Sequence, residues 1–146
     1  MCFKNLNSKG FTLLEILLVF LVVGIVAALA LPTYRDIILK ANRSDAIISL
    51  LRLSTLSEQF YLSHNKYADD FSELITGVKS GEFYISEGGH YSIMYASTSE
   101  GVGWNLVATA IGEQAKDIDC AKLTMSSLGV KSALNKNDDL NSLCWL

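Results

Sequence analysis

The chain has 146 residues, half of them hydrophobic and 18% charged, with a formal net charge of −3 at pH 7. That length fits one ordinary domain. The balance of 12 basic against 15 acidic side chains excludes a generally cationic, non-specific nucleic-acid binder and leaves room only for a local basic patch.

The first element in chain order is a short leader containing Lys4 and Lys9 and ending at Gly10. A run from Phe11 to Tyr34 follows, and Glu15 is its one charge. Roughly 20 apolar residues cross a bilayer, so the run is long enough. An acid at the centre of a membrane helix costs about 2.5 to 3.5 kcal/mol on insertion scales, so Glu15 reads as a functional group in need of a partner. Basic residues precede the span and no acid does, which holds the N-terminus in the cytoplasm. Ala27, Ala28 and Ala30 offer the small residues of a secretory cleavage site, but a secretory apolar region runs only about 7 to 15 residues. The better cleavage position lies before the span, between Gly10 and Phe11.

Lys9-Gly10-Phe11-Thr12-Leu13-Leu14-Glu15 resembles the processing site of type IV pilins and pseudopilins. The resemblance implies that a prepilin peptidase cuts after Gly10 and N-methylates Phe11, which becomes N-methylphenylalanine. It makes Glu15 the acid of the fifth position after cleavage. Cleavage creates a cation, the Phe11 amine. Within one chain the helix keeps that amine at its own end, whereas between staggered chains the amine of an incoming subunit can meet Glu15 of one already placed. An unpaired charge in low dielectric is costly, so this pairing selects axial register. The plainer alternatives are a carboxylate that snorkels to the headgroups and a single-pass anchor with an unrelated glycine.

The helical pattern continues past the span. Pro32, the only proline, removes a backbone donor and clashes with the carbonyl of Ala28. Gly24 lowers helix propensity eight residues earlier. A kink is expected at Pro32, and the family resemblance marks Gly24 to Pro32 as the segment that loses helical order in assembled pili. Beyond Tyr34, Arg35, Asp36, Lys40, Arg43 and Asp45 signal emergence into water. Ala46, Leu50, Leu53 and Phe60 form one apolar row, and Ile48, Leu51 and Leu62 form a second. Together they make an arc wider than a surface helix needs. The first row is read as packed on the chain's own sheet; the second either meets neighbouring subunits or belongs to the same core. A helix reaching Ser63 makes a rod of about 80 Å at ~1.5 Å per residue.

His64 to Phe71 breaks the pattern, and the stretch to Gly89 reads as loop with short elements. Three strands follow. Tyr91 to Ser97 alternates on Tyr91, Ile93 and Tyr95; Trp104 to Ile111 alternates on Trp104, Leu106, Ala108 and Ala110; Lys122 to Ser127 is the third. Ser99 to Gly103 supplies the turn between the first two. Alternation with glycine-rich turns predicts antiparallel strands, one face on the helix and one face wet.

The tail, with Asp117-Ile118-Asp119-Cys120, Leu123-Thr124-Met125, Gly129-Val130-Lys131 and Cys144-Trp145, resembles the PilE-like minor pilin subgroup. Removal of the leader takes Cys2 with it and leaves Cys120 and Cys144, an even pair in an oxidising compartment. A bridge between them contributes roughly 3 to 4 kcal/mol in the chain-entropy model. The leader also takes Lys4 and Lys9, leaving ten basic against fifteen acidic side chains, a sum of about −5.

The resulting fold class is α+β. A long N-terminal helix, transmembrane in its first half and kinked at Pro32, packs on a small antiparallel sheet with a C-terminal disulfide-bounded region: the type IV pilin fold. The expected divisions are a removed leader (1–10), a transmembrane and filament-core half-helix (11–34), an amphipathic half-helix (35–63) and a globular region (64–146). The resemblance implies a structural subunit of a type IV pilus, minor rather than major. Its partners would be prepilin peptidase, other pilin subunits, an inner-membrane assembly platform and the inner membrane of a Gram-negative bacterium, before export into an extracellular or periplasmic filament. A type II secretion pseudopilin is the second reading, against which Cys144-Trp145 argues. A pilus-surface module for DNA uptake or adhesion is the third. Lys116, Lys122, Lys131 and Lys136 are its candidate patch, although lysines dispersed among Asp117, Asp119, Asp138 and Asp139 are more often a solvated surface. No catalytic chemistry or cofactor is expected: His64 and His90 lack metal-ligand spacing, and Gly101 and Gly103 have no strand–helix phosphate context.

Overall fold

A computed structural model describes residues 10–98 and 102–145, with residues 31–33 described for their backbone alone. The elements in order are α1 (Leu13–His64), α2 (Phe71–Leu74), β1 (Tyr84–Ile85), β2 (Tyr91–Ser97), β3 (Trp104–Ala110), a 3-10 turn (Gly112–Lys116), β4 (Lys122–Ser126), β5 (Lys131–Leu134) and a second 3-10 turn (Ser142–Trp145). Contacts divide the chain into two units, one ending at Asp36 and one beginning at Ile37.

The first unit is helix. Thr12 starts it: its hydroxyl accepts from the Glu15 N–H at 3.3 Å and its carbonyl from the same N–H at 3.1 Å, the geometry of an N-cap. Every side chain from Phe11 to Ala30 is exposed. Among the described residues, α1 is the one helix long and apolar enough to cross a membrane by length and composition. The helical assignment continues through Pro32; the expected kink falls on 31–33, whose side chains lie outside the described residues.

The second unit builds one core between the rest of α1 and a five-stranded antiparallel sheet of order β1-β2-β3-β4-β5. Ala46, Leu50 and Leu53 are buried at helical spacing, together with Ser57, whose hydroxyl returns to the Leu53 carbonyl at 2.9 Å. Facing them are Tyr91 and Ile93 from β2, Trp104, Leu106 and Ala108 from β3, Leu123 from β4 and Ala133 from β5. The register pairs Ile93 with Ala108, Ala108 with Leu123 and Leu123 with Ala133, so one rung of small and branched residues crosses four strands on the buried face. The helix ends where Asn65 turns into the left-handed region at φ 54 and its N–H bonds the Tyr61 carbonyl at 2.8 Å, a common C-terminal stop.

The second apolar row is outside this core. Ile48 is 62% and Leu62 81% exposed, with Leu51 exposed as well, which removes the alternative in which both rows are intramolecular. Phe60, placed in the first row, is only half-buried and stacks on His64 at 4.0 Å. The alternation pattern predicts neither β1 nor β5, and neither 3-10 turn has a signal in it. In the turn between β2 and β3, Ser99 to Gly101 lies outside the described residues.

The outer edge of β5 is covered by the chain's own end. Asn141 N–H donates to the Ala133 carbonyl at 2.9 Å and Trp145 Nε1 to the Ser132 carbonyl at 2.7 Å, and Leu134 bridges Leu140. The Cys120–Cys144 disulfide, with Cα atoms 5.8 Å apart, fastens this segment to a residue two positions before β4. An open edge strand invites pairing with another chain, and this cover prevents it.

Candidate functional site

At the N-terminal end, Gly10 and Phe11 precede the first helical turn and are exposed. Glu15 lies in that first turn, where a carboxylate is favoured by the helix dipole. Its side chain is exposed, and among the described residues no cation pairs with it. A Cβ added at Gly24 would meet nothing within 4 Å, so packing inside the chain does not require a glycine there.

The four lysines of the C-terminal quarter do not form one patch. Lys116 pairs with Glu113 at 2.5 Å and Lys122 with Asp138 at 2.7 Å. Lys131 stands 5.3 Å over the Trp145 ring. Lys136 has no side-chain partner among the described residues. Because Lys122 pairs with Leu134 and Lys131 with Met125 in the β4–β5 ladder, their side chains point to opposite faces of the sheet.

A polar cluster that sequence reasoning did not single out ties the helix to the start of the disulfide-bounded region. Arg43 Nε and Nη2 donate to Asp117 Oδ2 and Oδ1 at 2.7 and 2.8 Å, a two-pronged pair in which Asp117 is only 4% exposed. Gln114, also buried, donates from Nε2 to the Leu39 carbonyl at 2.9 Å and to the Tyr91 hydroxyl at 3.1 Å. The hydrogen bond to Asp117 raises the Arg43 pKa further, against the opposing effect of burial. Burial pushes the Tyr91 phenol up to about 12, against the hydrogen bond from Gln114. Residues 43 and 117 are separated by most of the sheet in sequence, so no local pattern could have announced the pair. A second tie joins α1 to the turn before β2: Asp45 accepts from the Ser86 hydroxyl at 2.6 Å and the Gly88 N–H at 3.0 Å. A Cβ at Gly88 would fall 2.8 Å from Asp45 Oδ2, so a larger residue there would displace the carboxylate that makes this tie.

Two clefts are open on the second unit. One, of about 340 Å³, is lined by Lys40 and Arg43 from the helix and by Asp119, Asn141 and Leu143. The other, of about 550 Å³, lies along β3, β4 and the turn after β4, and its lining carries no ionisable side chain.

Comparison with known proteins bears on both units. The family described as "Type IV minor pilin ComP, DNA uptake sequence receptor" matches residues 32–124, and the prokaryotic N-terminal methylation motif matches residues 5–31. A fimbrial protein of Moraxella nonliquefaciens is 32% identical over 148 aligned positions, covering 92% of this chain and 95% of that protein. Type IV major pilin protein PilE1 of Neisseria gonorrhoeae is 39% identical over 66 residues, covering 45% of this chain; the match spans only 40% of that pilin's length. A solved type IV pilin from Shewanella oneidensis aligns at 20% identity over 64% of this chain and 89% of that one, with a TM-score of 0.47. The ComP match extends from the middle of the long helix into β4, well over half of the residues, and the methylation motif takes up the chain immediately before it; this chain belongs to the ComP family of type IV minor pilins.

Proposed function

We propose that the chain is made as a prepilin, held in the inner membrane by α1, cut between Gly10 and Phe11, N-methylated on Phe11 and built into a type IV pilus, where it acts in DNA uptake. The observation that carries the assembly reading is the helix. Residues 11–30 bury nothing within their own chain, and Ile48, Leu51 and Leu62 stay exposed on the part of α1 that already has its sheet. Contiguous apolar surface of this extent marks an interaction site. The membrane covers residues 11–34 before assembly, and helices of neighbouring subunits cover both stretches afterwards.

In this reading prepilin peptidase and the inner-membrane platform are the processing partners and other pilins the lasting ones. Glu15 meets the Phe11 amine of an adjacent subunit, an ion pair that low dielectric strengthens. The DNA role comes from the family description alone. It requires phosphate contacts from a chain that is acidic overall, so binding is expected to be weak and to fall with added salt.

The assembly reading is tested in cells that carry Glu15→Ala in place of the natural chain. Export and cleavage are expected to continue while the amount recovered in sheared filaments drops at least tenfold. Normal recovery in filaments would remove the pairing from the account. The DNA reading is tested by scoring uptake of labelled duplex DNA in a deletion strain that still makes filaments. Uptake equal to the parent strain contradicts it.

A further inference from the structure

We infer that the smaller cleft holds the zwitterionic headgroup of a membrane phospholipid, with its phosphate on Lys40 and Arg43 and its ammonium on Asp119; this rests on the reading of α1 as a membrane anchor. Lys40, Arg43, Asp119, Asn141 and Leu143 line this space of about 340 Å³, all of them in the second unit. Its helix wall is cationic. Lys40 is exposed, and its ammonium has no partner among the described residues. Arg43 donates from Nε and Nη2 to Asp117, and its Nη1 has no partner among the described residues. The other wall carries the exposed Asp119, whose carboxylate accepts no hydrogen bond among the described residues. Asn141 braces that wall: its Nδ2 donates to the Asp119 carbonyl at 3.1 Å, and its Oδ1 accepts from the Leu143 N–H at 3.3 Å.

The charges left open select the class of ligand. Asp117 already balances Arg43, so the cleft presents one unanswered cation, Lys40, and one unanswered anion, Asp119. A simple anion would meet Asp119 as a like charge, and a simple cation would meet Lys40 as one. A molecule that carries a phosphate and an ammonium a few bonds apart answers both. The free N–H groups of Arg43 Nη1 suit the phosphate oxygens, since a guanidinium matches phosphate geometry.

Two observations make that molecule a lipid. The first is the apolar rim. Leu143, on the lining, is 67% exposed; Ile118 and Leu140, which adjoin Asp119 and Asn141 in the chain, are 60% and 79% exposed. Exposed apolar side chains beside cations are the composition of a surface that lies in a membrane interface. The second is the tether. Lys40 follows Tyr34, the end of the apolar run, by six residues, a reach of at most about 20 Å. The headgroup layer begins where that run ends and is about 5 to 7 Å deep. Gln114 and Asp117 bond α1 at Leu39 and Arg43, so the loop that carries Ile118 and Asp119 meets the part of the second unit nearest the span in sequence.

The test mixes the full chain in detergent micelles with phosphatidylethanolamine or phosphatidylglycerol of matched acyl chains and counts the lipids retained by native mass spectrometry. The two headgroups share the phosphate, and only the first has an ammonium. The natural chain is expected to prefer phosphatidylethanolamine several-fold. Lys40→Gln should lower retention of both lipids about fivefold. Asp119→Asn should abolish the preference while phosphatidylglycerol is held at least as well as before. Both positions are exposed and make no side-chain hydrogen bond among the described residues, so chemical denaturation should not change. Equal retention of the two lipids by the natural chain, or a preference that survives both variants, overturns the inference. Unchanged lipid retention by variants that are lost from sheared filaments assigns the cleft to a neighbouring subunit and overturns it as well. A natural chain that leaves membranes in alkaline carbonate without detergent overturns the membrane reading, and this inference with it.

Discussion

Asp117 is the residue on which the polar contacts of the second unit converge. Its carboxylate accepts two hydrogen bonds from Arg43, one from Gln114 at 3.3 Å and one from the Cys120 N–H at 3.3 Å. It therefore joins the helix, the first 3-10 turn and the disulfide at a single point. Removing one partner of a buried pair leaves the other charge stranded and costs about 3 to 5 kcal/mol. Asp117→Ala is expected to lose stability of that order in chemical denaturation, and Arg43→Ala with Asp117→Ala to lose less than the two singles together. Tyr91 supplies a pH signature. Its phenol is raised from 10.0 to about 12, chiefly by burial; Tyr95 is raised likewise. The folded state therefore holds these protons more tightly than the unfolded state. That contribution is intact below about pH 10 and is lost as the pH climbs towards 12. A melting temperature that stayed flat across that window would contradict the burial of both phenols.

At the scale of elements, α1 presents two apolar rows with opposite fates, and they predict opposite phenotypes. Leu50→Ala opens a cavity in the core and is expected to destabilise the chain by about 2 to 5 kcal/mol. Ile48→Asp and Leu62→Asp lie on exposed positions, so thermal unfolding should change little while recovery in filaments falls. Equal effects on unfolding from both rows would refute the division. Alternation makes the buried face of β2 and β3 legible in the sequence, because Tyr91, Ile93, Trp104, Leu106 and Ala108 repeat with the period of a strand. The same logic could not find β1, which is two residues long, or β5, whose Lys131-Ser132-Ala133-Leu134 has no apolar alternation and owes its strand state to β4 on one side and the chain's end on the other. The exposure of the second helical row was likewise open in sequence. Periodicity shows that residues share a face, not what covers it.

For the whole molecule, the two units carry different parts of the account. The first is nearly all signal: glycine, phenylalanine and acid at fixed offsets before a long apolar run could be read directly from the residues. The second holds what sequence left unresolved. Arg43 and Asp117 meet through tertiary folding across 74 positions, and Lys122 and Lys131 separate onto two faces of a sheet whose last strand carries no alternation to announce it. The disulfide closes the end of this unit onto the edge of β5, so its reduction is expected to cost roughly 3 to 4 kcal/mol and to speed amide exchange at the residues of β5. The claim that joins both units is that the apolar helix leaves the membrane and enters a filament after processing at Gly10. Mass spectrometry of the chain recovered from purified, sheared filaments tests it most directly. The account predicts an N-terminal peptide that begins with N-methylated Phe11. A chain found only in the membrane fraction, or one in filaments that still carries residues 1–10, would contradict it.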